Sequence, residues 1–292
     1  MCANGIVDFS GEMLTSEDIK HRTRELLKLI LGKTIFKYTE CLRSKKILFL
    51  EHDKLKSFRK DEPFLLRFLH CSDFDVALAL KKLQNFTDFI FKHPNWVGRT
   101  SPLHIKRKFE VYDKAMLKDR DRKGRAIFVI KLGKVDVANS SPQEQWQIID
   151  MWFESILDNP IVQTNGVNII IDTNAYSWRL FRWLTPTNMR IAVKKLDVCP
   201  IKEVLLHVVN TSFLINASIK LLWPFLNDRL KNMFKFHFDN WPSLHEYINP
   251  NVLPTEYGGD GPDIDFEESV QMLFNQDSSI RAKLICYQIS NE

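Results

Sequence analysis

The sequence predicts an α/β protein with a small all-helical domain before its sheet. Three observations carry this prediction. Residues 15 to about 92 hold apolar positions at helical spacing. After residue 108, short β-rich runs alternate with longer helical ones at intervals of about 30 to 40 residues, which is typical of a mostly parallel sheet with crossover helices. The chain also carries 21 Phe, 7 Trp and 6 Tyr, which indicates either a thick core or the wall of a large apolar cavity.

Three helices are predicted in the N-terminal region. The first is capped by Thr15 and is expected to end at Gly32. The second begins at Asp61, with Pro63 in the first turn, where the missing N–H of proline is harmless. The third ends where a Pro- and Gly-containing linker, residues 93–108, begins.

The larger domain contains four predicted strands joined by helices. The strands are Ala126–Ile130, Val167–Ile171, Val204–Val209 and Phe234–Phe238. The first connecting helix begins at an S-x-x-E capping box that starts at Ser141. The next begins at Thr185, and a third runs from Ser212 to about Trp223. A further short helical pattern covers residues 266–274.

Composition and cysteine spacing exclude several classes of protein. With 45% apolar and 26% charged residues, the chain is expected to fold. The net charge of +5 is spread along the sequence, so nucleic acid is not an expected partner. Five cysteines without a C-x-x-C pair indicate neither a disulfide framework nor a zinc site, and fit a reducing cytosol. Acidic residues precede any apolar run, so no export signal is expected. The longest uncharged stretch, residues 204–219, is too short and too polar to span a bilayer.

Motifs for covalent chemistry and for cofactors are missing. The ten glycines form neither G-x-G-x-x-G nor a P-loop pattern, and there is no G-x-S-x-G nucleophile motif. The eight histidines lack metal-binding spacing. We therefore expect no enzyme activity, no cofactor and no metal. His207, within an apolar run, is interpreted as a hydrogen-bonded core histidine, and the Gly258–Gly259 pair as an ordinary tight turn.

The helix predicted from Ser141 to about Leu157 is apolar over most of its circumference, so it must be covered on two sides. Its remaining stripe is polar and mainly acidic. The stripe consists of Gln147, Asp150, Glu154 and Asp158. Two interpretations stay open. The stripe is a solvated edge, or Asp150 or Glu154 borders an apolar cavity and supplies its polar contact.

The segment 212–226 has Lys220 as its only charge, so it is either a core helix or a lid that can leave the core. The helix before it has a basic edge formed by Arg190, Lys194 and Lys195. Such a run is either a solvated face or a surface for anionic lipid headgroups.

Several segments, taken in order, resemble the CRAL-TRIO lipid-binding family, which includes the alpha-tocopherol transfer protein and cellular retinaldehyde-binding protein. The segments are Pro63–Leu80, Asp121–Ile130, Pro200–Asn210, Pro224–Leu226 and Leu253–Gly259. The resemblance covers roughly residues 45–275. It implies a helical N-terminal domain (1–100), a lipid-binding domain (101–275) whose sheet and helices enclose a hydrophobic pocket, and a C-terminal tail (276–292).

The resemblance also implies a function. We expect a cytoplasmic, monomeric carrier that holds a small hydrophobic ligand, such as a retinoid, carotenoid, sterol or tocopherol-like molecule, under a mobile lid. Such a carrier would exchange its ligand during transient contact with membranes and do no covalent chemistry. The alternative is an adaptor that binds phosphatidylinositol bisphosphate and recruits partners to membranes without carrying cargo.

Candidate site residues follow from the same resemblance. The predicted pocket consists of Phe128, Ile130, Trp146, Ile149, Phe153, Glu154, Leu157, Ile169, Ile171, Ile191 and Leu206. The predicted lid consists of Phe213, Ile219, Leu222, Trp223 and Phe225. The predicted phosphoinositide-binding residues are Arg190, Lys194, Lys202 and Arg229. Glu154 stands where the retinaldehyde- and tocopherol-binding members have glutamate.

Departures from the family pattern narrow the choice of possible ligands. Arg190 and Trp223 replace the glutamate and lysine that hold phosphatidylinositol in other members, so phosphatidylinositol is disfavoured as cargo. Ile149 and Phe153 replace serines of the tocopherol pocket, so tocopherol itself is not supported.

The basic cluster is also incomplete. Lys202 and Arg229 match the family's phosphoinositide cluster, whereas Val204 and Met233 stand where arginines are expected.

Overall fold

The computed structural model describes residues 6–8, 12–40 and 58–287. Parts of the predicted N-terminal domain (1–5, 9–11 and 41–57) and the end of the predicted tail (288–292) lie outside the described residues. The predicted fold class is confirmed. A five-stranded, mostly parallel sheet with crossover helices follows an N-terminal helical region.

The helical region contains three helices. They are α1 (Ser16–Glu40), α2 (Glu62–His70) and α3 (Val76–Lys92). Thr15 caps α1 as predicted, since its hydroxyl accepts from the Asp18 backbone N–H at 3.1 Å. The prediction that Gly32 ends this helix is wrong, because α1 continues to Glu40. A single interior glycine costs only about 1 kcal/mol relative to alanine, which is too little to end a helix.

The sheet follows chain order. Its strands are β1 (Lys114–Arg120), β2 (Ala126–Lys131), β3 (Val167–Asp172), β4 (Val204–Val209) and β5 (Phe234–Phe238). β2 to β5 are parallel, and β1 runs antiparallel to β2. β1 was not predicted, because it ends in the charged run Lys118–Arg120, whose side chains are half-buried to exposed at the edge of the sheet.

The remaining helices lie before the sheet or in its connections. They are α4 (Lys106–Phe109), α5 (Pro142–Glu154), α6 (Pro160–Asn165), α7 (Trp178–Phe181), α8 (Pro186–Val198), α9 (Phe213–Leu222) and α10 (Asp228–Met233). The predicted capping box at Ser141 is present, and Thr185 and Ser212 cap α8 and α9. Within the part of the chain that the structure describes, no helix is long and apolar enough to cross a membrane.

One face of the sheet is covered by the chain after β5. Alternate strand residues point to this face and pack against residues 244–257. The contact consists of Ile127, Val129, Ile170 and Val209 with Leu244, Ile248, Leu253 and Tyr257. The segment begins with α11 (Trp241–His245) and is fixed where the fully buried Tyr257 donates its hydroxyl proton to Asp172 Oδ2 at 3.1 Å.

The turn after Tyr257 requires glycine. Gly258 has φ of 68° and ends a short 3₁₀ turn, and a Cβ atom there would lie 2.6 Å from the Cβ of Trp241. The family-like segment Leu253–Gly259 therefore holds the covering segment against the sheet, and the predicted tight turn is confirmed.

The C-terminal residues are packed helices. α12 (Phe266–Phe274) covers the outer edge of β1, where the Ser269 hydroxyl donates to the Met116 carbonyl and accepts from the Met116 N–H. α13 (Asp277–Ile285) contacts α5, and its Ile280 and Leu284 are fully buried. These residues join a core that also contains the buried side chains of α2 and α3. The predicted boundaries at residues 100 and 275 therefore lie within one continuous core.

Candidate functional site

The second face of the sheet borders a cavity of about 430 Å³. Its floor consists of alternate strand residues: Ile130, Ile169, Ile171, Leu206, Val208, Phe234 and Phe236. Its helical wall includes Trp146, Ile149 and Phe153 of α5, Met189, Ala192 and Leu196 of α8, and Ile215, Ile219 and Leu222 of α9. A cavity of this size with an almost wholly hydrocarbon lining fits a small apolar molecule, since small-molecule pockets enclose about 300–1,000 Å³.

Most of the predicted pocket residues border this cavity. They are Ile130, Trp146, Ile149, Phe153, Glu154, Leu157, Ile169, Ile171 and Leu206. Phe128 and Ile191 lie elsewhere. Phe128 is fully buried beneath α5, with its ring centroid 5.6 Å from those of Trp152 and Phe153, and does not border the cavity. Ile191 is half-buried against the core, while its neighbour Ala192 faces the cavity.

The predicted lid divides into inward and outward residues. Ile219 and Leu222 border the cavity. Phe213, at the start of α9, is 80% exposed and cannot line it. Helical periodicity explains the difference, because Phe213 lies on the opposite side of α9 from the inner stripe. On the outer side Phe213 joins Leu221, which is also exposed.

Trp223 and Phe225 form the turn that follows α9. The Trp223 ring packs on the outer strand β5, with its centroid 6.3 Å from that of Phe234 and 5.8 Å from that of Phe236. The Arg190 guanidinium lies 5.7 Å from the Phe225 ring centroid, a cation–π contact. Both aromatic side chains are half-buried, so they hold the end of the predicted lid against β5 and Arg190.

Glu154 lies in a buried ion-pair network. The Arg67 guanidinium binds both of its carboxylate oxygens at 2.9 Å, and the Tyr287 hydroxyl donates to Oε1 at 2.9 Å. Burial alone would raise the pKa of Glu154, but Arg67 reverses this and the pKa is lowered. The carboxylate is therefore ionised and occupied by protein donors, although Glu154 borders the cavity.

The same network includes Asp158. Arg67 donates to Asp158 Oδ1, and Arg59 and Lys283 contact Asp158 Oδ2 at 3.0 and 2.9 Å. Burial would raise the pKa of Asp158, yet these cations hold it well below its usual range. The network joins α2, α5 and the C-terminal residues. The interpretation of the acidic stripe as a solvated edge is therefore wrong for Glu154 and Asp158. Arg67 was missed because no local signal in the sequence pairs it with α5.

Asp150 forms a second ion pair at the cavity wall. Its Oδ2 accepts from Lys195 Nζ at 2.7 Å and from the Gly98 N–H at 2.8 Å. Burial raises the pKa of Asp150, and Lys195 opposes this change. Lys195 also donates to the Trp96 carbonyl and lies 5.6 Å from the Trp146 ring centroid. Lys195, predicted as part of a basic surface edge, is therefore a buried partner of α5.

A third polar group lies at the β1 end of the cavity. Lys114 of β1 is 2% exposed, and its ammonium donates to Asp113 Oδ2 and to Gln145 Oε1. Lys114 and Gln145 both border the cavity. Burial lowers the pKa of Lys114, while Asp113 opposes this change. The sequence analysis missed this group because β1 itself was not predicted.

Three of the four predicted phosphoinositide-binding residues lie on the surface beside acidic side chains. Lys202 Nζ is 3.3 Å from Asp73 Oδ1, and Arg229 Nη2 is 2.9 Å from Asp197 Oδ1. Lys194 also contacts Asp197, at 3.7 Å. The positive charge at these three positions is therefore partly neutralised within the protein.

His207 lies on the sheet face away from the cavity. It is fully buried between His237 Nε2 at 2.9 Å and Asn168 Oδ1 at 3.1 Å. Burial lowers the pKa of His207 to about 3, and the neighbouring His237 adds to this effect. The interpretation as a hydrogen-bonded core histidine is confirmed. In the described ranges, no group of three His, Cys, Asp or Glu side chains could hold a metal ion.

A sheet that floors an apolar cavity covered by helices is typical of proteins that enclose apolar small molecules. Comparisons agree with this class. Residues 110–259 match the family model described as the CRAL/TRIO domain. The chain belongs to the CRAL-TRIO family of lipid-binding and lipid-transfer proteins.

Individual relatives support the same assignment. The chain is 30% identical to Clavesin-1 of Rattus norvegicus over 228 residues, which are 76% of this chain and 63% of that protein. It is 29% identical to Clavesin-2 of Homo sapiens over 219 residues, which are 71% of this chain and 64% of that protein. The matches therefore span less than two thirds of these relatives.

A solved structure also shares the fold. The crystal structure of Sfh5 superposes with a TM-score of 0.53 and covers 92% of this chain and 99% of that one, at 11% identity.

Proposed function

We propose that this protein carries one small hydrophobic ligand, of the retinoid, carotenoid, sterol or tocopherol-like kind, in the cavity above the sheet, and exchanges it at membranes. It acts as a monomer in the cytoplasm, with transient membrane contact and without covalent chemistry. The single observation that carries the proposal is the cavity itself, about 430 Å³ with a hydrocarbon lining on sheet, wall and lid. Burying an apolar ligand there gains about 25 cal/mol per Å² of apolar surface.

The outer surface near the lid supports exchange at membranes. α7 contacts α9, and each helix exposes a large apolar side chain, Trp178 at 61% and Phe213 at 80%. Exposed aromatic side chains favour the headgroup level of a bilayer. Insertion of these two residues would bring the outer side of the lid to the membrane while its inner stripe still covers the ligand.

The direct test of cargo is lipid analysis of the protein purified from its own cells, with a variant whose cavity is filled. Ala192→Phe places a ring into the cavity from α8 and should remove the co-purified lipid. Ala282→Phe, on the exposed side of α13, is the matched control and should keep it. One enriched apolar species in the wild type and the control, absent from Ala192→Phe, supports the proposal. Equal lipid content in all three proteins would contradict it.

The membrane step has its own test. Trp178→Ala with Phe213→Ala should weaken vesicle binding with little dependence on salt, because the lost interaction is apolar. Trp223→Ala with Phe225→Ala, which removes half-buried rings, serves as the comparison. A larger loss in the second variant would assign insertion to the end of the lid instead.

The adaptor alternative receives less support. Recognition of a bisphosphate headgroup needs several unpaired cations, and charge-assisted pairs form best where no protein carboxylate competes. Here Lys202 and Arg229 already contact Asp73 and Asp197. We therefore propose that these residues contribute only a diffuse attraction to anionic membranes.

A further inference from the structure

The β1 end of the cavity contains hydrogen-bond donors without acceptors. The Lys114 ammonium has three protons, of which two point to Asp113 and Gln145. The third has no acceptor among the described residues. Because Gln145 turns its oxygen to the ammonium, its amide nitrogen carries two further protons, for which the described part of the chain likewise offers no acceptor.

Most of the other polar side chains of the wall have a protein partner, and the Ser218 and Tyr176 hydroxyls lie 3.1 Å apart. Lys195 donates to the Trp96 carbonyl and to Asp150, and the Trp146 ring lies beside its ammonium. Four more side chains direct a proton at a protein acceptor: Thr173 at Val209 O, Asn188 at Trp183 O, Ser218 at Leu214 O and Tyr287 at Glu154 Oε1. Lys114 and Gln145 therefore place a charged donor and an amide donor, both with unused protons, side by side at one end of the cavity.

We propose that the ligand's polar head binds at Lys114 and Gln145, and that this head is a neutral hydrogen-bond acceptor, a carbonyl or hydroxyl oxygen. The inference rests on the proposed function, since it concerns the same cavity. Charge decides the class of head. Lys114 and Asp113 form a neutral pair and are only 2% and 4% exposed, so an anionic head would add an uncompensated buried charge beside the Asp113 carboxylate.

The position of this group also sets the ligand's orientation. β1 and β5 are the two outer strands of the sheet, and four strand spacings of about 4.8 Å separate them by roughly 19 Å. The β5 end is lined by apolar side chains: Ile219, Leu222, Met233, Phe234 and Phe236. The head therefore lies at the β1 edge, and the apolar body extends towards the lid.

The test uses ligands of one hydrocarbon chain with different heads: the alkane, the primary alcohol, the methyl ketone and the fatty acid. Each displaces Nile red from the full-length protein. The wild type should bind the alcohol and the ketone about tenfold more tightly than the alkane, as expected for hydrogen bonds to a charged donor. The fatty acid should gain no comparable advantage.

Variants test the residues. Gln145→Leu and the double variant Asp113→Asn with Lys114→Met should each reduce the preference for the alcohol and ketone over the alkane. Asp150→Asn with Lys195→Met removes the other buried pair and should keep the preference. Gln145→Leu leaves the Lys114–Asp113 pair intact, so the test survives if the double variant fails to fold.

Three outcomes would overturn the inference: an unchanged preference in Gln145→Leu and the double variant, an equal loss in the Asp150 and Lys195 control, or tightest binding of the fatty acid. Failure of all four ligands to displace Nile red from the wild type would instead overturn the proposed function.

Discussion

The two faces of the sheet differ although the same strands build them. Ile169 borders the cavity, whereas Ile170, the next residue of β3, is fully buried against the segment after β5. The packed face also contains a chain of hydrogen-bonded side chains that includes Asn168 and His207. The strand side chains that face the cavity are almost all hydrocarbon.

This difference indicates that the packed face serves the stability of the fold and that the cavity face serves ligand binding. Protein interiors are close-packed, and residual cavities cost about 24 cal/mol per Å³ in engineered cores. Because an empty cavity of this size would cost stability, we expect a bound ligand to fill the cavity beside the second face of the sheet. The packed face supplies the rigidity that keeps the floor in place, because Tyr257 and the turn at Gly258 fix its cover to the sheet.

The strongest test of the cavity face is a charge in its wall. Phe153→Asp should lower ligand affinity by at least about a hundredfold at neutral pH, because an unpaired carboxylate in an apolar wall is costly. Ligand titration followed by tryptophan fluorescence measures the loss, since Trp146 borders the cavity. Phe153→Leu is the control and should bind nearly as well as the wild type. Retained affinity in Phe153→Asp would exclude Phe153 from the binding surface.

Adjacent residues of β3 provide a matched comparison of the two faces. Ile170→Ala should lower the free energy of unfolding by about 2–5 kcal/mol with little change in ligand affinity. Ile169→Ala should cost less stability, because its side chain already borders a void, and should change affinity or ligand choice. Urea unfolding and ligand titration of both variants separate the effects. Equal losses of stability would mean that the two faces are packed alike.

The packed face should also carry a pH dependence. The pKa of His207 is about 3 in the folded protein and 6.5 in an unfolded chain. Between these values the unfolded state binds more protons at His207. The stability that His207 contributes is therefore fully present above pH 6.5 and falls with decreasing pH by about 1.4 kcal/mol per pH unit.

His207→Gln should reduce this slope, as measured by urea unfolding across a pH series, although it lowers stability at neutral pH. The part that comes from His237 and His70 should remain, because burial also lowers the pKa of each of these groups to about 4. His104→Gln, at an exposed position, is the control and should keep the wild-type slope. An unchanged slope in His207→Gln would mean that the acid sensitivity comes from other groups.

The smallest effect is expected at the surface cations beside the cavity domain. Lys202→Ala with Arg229→Ala should reduce binding to all anionic vesicles to a similar degree, by no more than about 1 kcal/mol per charge. Asp73→Asn with Asp197→Asn should do the reverse, because it releases the paired cations. Flotation with phosphatidylserine or phosphatidylinositol bisphosphate vesicles of equal charge measures both. A selective loss on bisphosphate vesicles would favour the adaptor alternative.

Local signals explain which elements could be predicted. Caps at Ser141, Thr185 and Ser212 lie next to the helices they begin, so a few residues suffice to identify them. The buried parallel strands read as short apolar runs. The sequence analysis did not predict β1, because an edge strand tolerates charged residues. It did not predict α13, because this helix has no capping side chain. Because β1 was not predicted, the analysis also missed Lys114, the residue that we propose contacts the ligand's head.

The sequence alone determined the order of the main helices and of strands β2 to β5, because helical and strand periodicities are local properties of the chain. Only the tertiary structure decided which charges meet. Arg67 and Glu154 are 87 residues apart in the sequence, and their pairing depends on how α2 packs against α5. The cavity is likewise a tertiary property, since its surface is shared by the sheet and several helices. Apolar periodicity shows that a face is buried, but it cannot distinguish contact with protein from contact with a ligand.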